Sequence, residues 1–222
     1  MHSAIGLIYD MDGVIVHSNP AHKRAIQAFC QQHNQEVSHE FLHNKLYGRT
    51  NKEWIPELFG DLSPDRLKEL ADEKEQLFRD SFDPKQNIVP GLMNFLRLVK
   101  EQGFKMAVAT SAPAENADYI LSDLNIQHFF DAVLNSSHVS RGKPEPEVYQ
   151  KASAALSLPP AQCIVFEDSI AGVEAGLRAG CKVVAVTTTH TREEFPHCDY
   201  AINDFVGLEL GDLTDLFVTE RS

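Results

Sequence analysis

Residues 163–186 read CIVFEDSIAGVEAGLRAGCKVVAV, and the order of side-chain types in this stretch decides the fold. Cys163-Ile-Val-Phe166 is a short unbroken apolar run, as expected of a strand buried on both faces. Residues 170–179 read as a helix closed by Gly180. Lys182 to Val186 is a second apolar strand. Strand, helix and strand in so short a span imply a parallel pair joined by a crossover helix. Glu167-Asp168-Ser169 falls between the first strand and the helix.

The same alternation continues on both sides. Upstream are a helix over 145–156, a strand at Ala132–Leu134, a helix over 114–124, a strand at Phe104–Ala109, and a helix over 90–102 stopped by Gly103. Downstream, Tyr200–Ile202 is a last short strand, and 204–222 is read as a closing helix. Residues 4–9 form one more apolar run, ending at Asp10. The chain is therefore expected to be α/β, a doubly wound parallel sheet with helices on both faces. Residues 17–86 differ. Asn19-Pro20 opens a helix, with Asn as N-cap and Pro at the first helical position. Ser38 starts a second helix, Thr50–Phe59 is a third that Pro56 limits or kinks, and Ser63-Pro64 starts a fourth. With no strand pattern there, 17–86 reads as a small all-helical domain inserted into a core made of 1–16 and 87–222.

The charge is uneven. Residues 17–86 hold 10 Lys/Arg against 12 Asp/Glu, and the remainder 10 against 20, for a net charge of −12. That argues against a nucleic-acid partner. An acidic body suits an anion-binding protein only if a metal occupies some of its carboxylates. No apolar run is long enough for a membrane span. Cys30, Cys163, Cys181 and Cys198 make no CxxC pair, and reduced thiols fit best. A soluble cytoplasmic protein, monomer or weak homo-oligomer, is the expectation.

Ligands of parallel α/β sheets bind at the carboxyl ends of the strands. After the first strand stands Asp10-Met-Asp12-Gly-Val, two carboxylates on one side of an extended chain. They suit a nucleophile and an acid/base sharing a cation, and equally a solvated turn. After the second come Thr110 and Ser111, phosphate donors or a helix N-cap. Then comes Lys143, between Gly142 and Pro144, a fixed cation or a surface lysine. After the fourth come Glu167 and Asp168, metal ligands or again an N-cap. Each signal is weak alone. Together they amount to a nucleophile, an acid/base, phosphate donors, a cation and metal ligands.

In that order, these residues resemble the haloacid dehalogenase-like superfamily, along nearly the whole chain. The helical insert resembles that family's cap. The resemblance implies a Mg²⁺-dependent phosphatase acting on a small-molecule phosphate ester. Asp10 would be the nucleophile and Asp12 the acid/base. Thr110, Ser111 and Lys143 would hold the phosphoryl group. The metal would sit on Asp10, on Asp12 through its backbone carbonyl, and on Asp168, with Glu167 close by. The wording of the first motif and His22 are similar to the β-phosphoglucomutase branch, so a hexose phosphate mutase is the alternative. His22 would contact the acid/base or lie on a helix surface. Lys45, Arg49, Asn51 and Trp54 are candidate substrate contacts in the cap, although a lone Trp54 is more often core.

Overall fold

The computed structural model describes residues 5–38, 40–41 and 50–217. Its strands are β1 (Gly6–Tyr9), β2 (Lys105–Ala109), β3 (Ala132–Leu134), β4 (Cys163–Glu167), β5 (Lys182–Val186) and β6 (Tyr200–Ile202). They form one sheet in the order β3-β2-β1-β4-β5-β6, with every neighbouring pair parallel. The α-helices among the described residues are α1 (Asn19–Gln32), α2 (Asn51–Phe59), α3 (Pro64–Ser81), α4 (Leu92–Glu101), α5 (Ala114–Asp123), α6 (Glu147–Ala155), α7 (Ile170–Ala179) and α8 (Leu210–Thr214). The expected α/β class, strand set and helical insert are all present.

The strands are apolar because both faces of the sheet are covered. Leu7, Tyr9, Met106, Val108, Ile164, Phe166, Val184 and Val186 pack on one face with α4 and α5. The alternate residues Ile8, Ala107, Val165, Val183 and Ala185 pack on the other with α6 and α7. Each large aliphatic side chain buried this way contributes about 1.5–3 kcal/mol. Tyr9 and Phe166 are directly paired across β1 and β4, and their rings stack at 4.9 Å. This contact joins the ends of the two central strands just below Asp10 and Glu167. The strand order reverses between β1 and β4, which is where such sheets open a ligand crevice.

Helices α1, α2 and α3 have an apolar cluster of their own, built on Ile26, Phe29, Cys30, Trp54, Ile55 and Leu70. Trp54 is buried, and its indole N–H donates to Asn51 Oδ1 at 3.1 Å. It belongs to the core of the helical unit and also lines a cavity shared with Asp10 and Asp12. Three local expectations change. Ser18, not Asn19, precedes the first helix, Asn19 being already helical; the Asn19 side chain has left the helix end for Asp168. Pro56 lies within α2, four residues before Gly60 ends the helix. Among the described residues the closing segment expected over 204–222 becomes helical only at α8, five residues long, followed by a 3₁₀ turn at Asp215–Phe217. Most of the second helix expected from Ser38 lies outside the described residues, as do Lys45 and Arg49.

Candidate active site

The crevice follows from where each strand stops. Asp10 directly follows β1, and its backbone N–H donates to Phe166 O of β4 at 3.0 Å. Thr110 directly follows β2, with its N–H on Leu134 O at 3.0 Å. Glu167 is the last residue of β4, and Asp168 follows it. Lys143 arrives on the loop between β3 and α6, through a cis peptide bond to Pro144. Residues far apart in the chain thus meet at one edge of the sheet.

Lys143 is the centre of this meeting. Its ammonium is buried and donates to Asp10 Oδ1 and Glu167 Oε1, each at 2.6 Å. It also lies 5.0 Å from the centre of the Tyr149 ring. Burial works against the charge, but Asp10 and Glu167 overcome it and raise the lysine's pKa. Glu167 has no exposed surface. Its Oε1 also accepts from Tyr149 Oη at 2.7 Å, and its Oε2 from the N–H and hydroxyl of Ser169, both at 2.9 Å. These bonds fill the four acceptor positions of the carboxylate. Burial opposes its charge too, and Lys143 holds its pKa below the ordinary value.

Asp10 and Asp168 are in a different condition. Among the described residues no protein donor reaches Asp10 Oδ2 or Asp168 Oδ1. The Asp10 pKa is raised by burial, with Lys143 opposing and Glu167, Asp168 and Asp12 adding to the rise. That of Asp168 is pushed up to about 8 by burial and then by Glu167. Asp168 Oδ2 accepts from Asn19 at 3.0 Å and from the Thr189 hydroxyl. Carboxylate oxygens of Asp10, Glu167 and Asp168 lie within 4.8 Å of one another. Buried acids this close, with two oxygens left open, are a donor set that a hard divalent cation would satisfy.

Asp12 turns away from this cluster. Its Oδ1 accepts from the Ser18 hydroxyl and faces His22 Nε2 at 3.2 Å. Burial opposes ionisation, yet His22 and Ser18 hold the Asp12 pKa down. No side-chain oxygen of Asp12 joins the metal-sized group, so only its backbone could serve there. His22 is thus placed at the acid and not on open helix surface. Its ring stacks on Phe78 at 3.8 Å, and Lys74 Nζ lies 3.0 Å from its Nδ1.

Two glycines permit this packing. Gly13 has φ +80°, and a Cβ there would fall 1.8 Å from Asp168 Oδ2. A Cβ on Gly172 would fall 1.8 Å from Glu167 Oε1. Gly172 therefore makes room for a carboxylate, whereas Gly176 allows α7 to approach Val183 and Val165.

Thr110 and Ser111 line the same cavity and are not a helix cap, since α5 begins at Ala114 behind Pro113. The cavity has a volume of about 1210 Å³ and extends from Asp10 and Asp12 to Asn51, Lys74, Glu75 and Asn116. Asn51 Nδ2 donates to Glu75 at 2.7 Å, so its polar atoms are engaged inside the helical unit. Sequence reading overlooked Ser18, Asn19, Tyr149 and Thr189, which hold the acids in place, and the buried pair Lys74–Glu75. The consecutive charges at 74 and 75, beside the apolar stripe of α3, were the only available signal.

A doubly wound sheet with acids after β1 and β4 and a lysine between them is a distinctive site, and the family match places it among hydrolases. The description "Haloacid dehalogenase-like hydrolase" matches residues 7–186. The chain belongs to this family, in the branch of β-phosphoglucomutase-like phosphatases. It is 34% identical over 179 residues to the phosphorylated carbohydrates phosphatase of Thermotoga maritima, covering 78% of this chain and 81% of that protein. It is 30% identical over 197 residues to the validoxylamine A 7'-phosphate phosphatase of Streptomyces hygroscopicus subsp. limoneus, covering 89% and 92%. The crystal structure of β-phosphoglucomutase from Clostridium difficile superposes with a TM-score of 0.85 at 22% identity, covering 98% of each chain, a likeness of fold.

Proposed function

We propose that this hydrolase is a Mg²⁺-dependent phosphatase that acts on a small phosphorylated metabolite of the sugar-phosphate kind, through a phosphoryl group carried on Asp10. One observation carries this reading: Lys143 grips one oxygen of a buried Asp10 and leaves the other open to the cavity. Asp10 attacks phosphorus through one carboxylate oxygen while the bond to the ester oxygen breaks. The leaving oxygen takes a proton from Asp12. Asp12 is held ionised in the free protein, and an incoming phosphate dianion raises its pKa so that it takes up a proton from solvent. Asp12 then takes the proton of a water that attacks the phosphoryl-Asp10, restoring Asp10 and releasing phosphate. Thr110, Ser111 and Lys143 hold the phosphoryl oxygens throughout.

Asp10 and Asp168 would hold Mg²⁺, with the Asp12 backbone carbonyl. Glu167, its acceptor positions filled, serves by fixing Lys143. Bound there, the cation would offset charge on the carboxylates and the phosphoryl oxygens. The helical unit, residues 17–86, acts as a cap that covers the site and meets the organic part of the substrate. The names of the two phosphatase relatives support a carbohydrate-like ester.

The test is phosphate release from a panel of sugar, polyol and nucleotide phosphates with Mg²⁺, alongside Asp10→Asn. Turnover that falls by orders of magnitude in the variant is expected. Equal turnover in the variant would end the aspartyl route. The His22–Asp12 contact also suits a hexose phosphate mutase. Isomerisation of β-glucose 1-phosphate that depends on a bisphosphate primer would favour that reading.

A further inference from the structure

Glu75 is a buried anion that the reaction just described does not use. It lies on α3, is 6% exposed, and lines the cavity that holds Asp10 and Asp12. Its Oε1 accepts from Lys74 and Asn51, each at 2.7 Å, and its Oε2 from Asn116 at 2.6 Å. A carboxylate offers about four acceptor positions. One position on Oε2 is therefore open among the described residues. Lys74, Asn51 and Asn116 each direct a donor at Glu75 and hold its carboxylate in place. Asn116 Oδ1 is taken by Arg79 at 2.7 Å.

The position of this charge matters more than its presence. Asp12, His22, Lys74 and Glu75 form a chain with contacts of 3.2, 3.0 and 2.7 Å. The negative charge of Glu75 is felt at the Asp12 carboxyl. Burial opposes that charge, but Lys74 and His22 keep it, and the Glu75 pKa falls to about 2. In the proposed reaction the ester oxygen meets Asp12, which puts the leaving alcohol in the same cavity that Glu75 lines. Lys23, Lys52, Lys68 and Arg79 also line the cavity; Lys68 pairs with Asp72, and Arg79 bonds Asn116 and Gln76.

We propose that Glu75 is a specificity-determining residue of this site: it accepts a hydrogen bond from a hydroxyl of the leaving alcohol and rejects esters that carry a carboxylate close to the ester oxygen. This rests on the phosphatase reading of the same site. It narrows the substrate to polyol or sugar monophosphates and sets phosphorylated hydroxy acids aside. A hydroxyl fills the open position on Oε2, whereas a carboxylate meets a fixed like charge in a buried setting.

The experiment compares esters matched in size but not in charge. Glycerol 3-phosphate is set against 3-phosphoglycerate, and ethylene glycol monophosphate against 2-phosphoglycolate, with p-nitrophenyl phosphate as a neutral control. Wild type is expected to favour each alcohol by roughly 100-fold in kcat/KM. Glu75→Gln should narrow that ratio about tenfold, while Glu75→Asp, which keeps the charge, should preserve it. A wild-type ratio near one, or one favouring the carboxylates, overturns the proposal without need of any variant. So does an unchanged ratio in Glu75→Gln, or an equal collapse in Glu75→Asp, which would mark a packing role. No turnover of any ester, p-nitrophenyl phosphate included, removes the phosphatase reading itself and this inference with it.

Discussion

Lys143 Nζ and Asp10 Oδ1 meet at 2.6 Å although 133 positions separate them in the chain. The same ammonium holds Glu167 at 2.6 Å, so one cation serves two buried carboxylates. Replacing Lys143 by Met would leave both acids unpaired. Such a loss costs about 3–5 kcal/mol of stability. Activity should fall about 10²–10³-fold with the loss of the phosphoryl-holding charge. Urea unfolding and phosphate release measure the two effects, and activity within tenfold of wild type would contradict the role given to Lys143.

Gly172 sits against the Glu167 carboxylate, and a methyl group has no room there. Gly172→Ala should push Glu167 off its bonds to Tyr149, Ser169 and Lys143. Helix propensity alone would make Gly→Ala stabilising by up to about 1 kcal/mol. A melting temperature below wild type, with a marked loss of activity, is therefore a sharp expectation. A rise in melting temperature would show that Glu167 has other room.

Asp168 supplies the metal prediction. Mg²⁺ should raise the melting temperature of wild type and have little effect on Asp168→Asn, by differential scanning fluorimetry. Without metal the order reverses at high pH. The folded pKa of Asp168 is raised to about 8 from an ordinary 3.8. Its contribution is thus complete below pH 3.8 and is lost as pH rises through about 8. In EDTA above pH 8, Asp168→Asn should be the more stable protein, by a few degrees. A less stable variant under those conditions would argue against a strained acid cluster.

Glu75 makes the opposite contribution. Its folded pKa is lowered to about 2 from 4.5, chiefly by Lys74 acting against burial. The stability it confers is present above pH 4.5 and is lost as pH falls through about 2. That amounts to about 3 kcal/mol as an order of magnitude. Glu75→Gln should be less stable than wild type at pH 7, and the gap should close as the pH is lowered. Acid titration of unfolding checks this, and a gap constant from pH 7 to 2 would refute it.

The sheet was readable in the sequence because strands buried on both faces need unbroken apolar runs. Those runs survive in β1, β2, β4 and β5 with little disturbance. The site was readable in outline for the same reason. Polar residues that stop an apolar run must stand at a sheet edge, so Asp10, Thr110, Glu167 and Asp168 could be named and gathered. Lys143 was harder, because its loop carries proline and glycine punctuation and no strand end. The contact of Trp54 with Asn51 was not readable, since no local pattern says that an indole N–H will be met by an asparagine three residues away.

The chain's periodicity and punctuation determined by themselves which segments are strands and helices, where an insert interrupts them, and which acids close the strands. Those features depend on backbone geometry and on burial along one element, and both are local. Tertiary structure alone decided that Glu167 spends its oxygens on Lys143, Tyr149 and Ser169 while Asp10 and Asp168 keep one open. It also decided that His22 and Lys74, 52 positions apart, connect Asp12 to Glu75. A hydrogen bond depends on a few tenths of an ångström and on burial supplied by distant segments, which the order of residues does not encode locally.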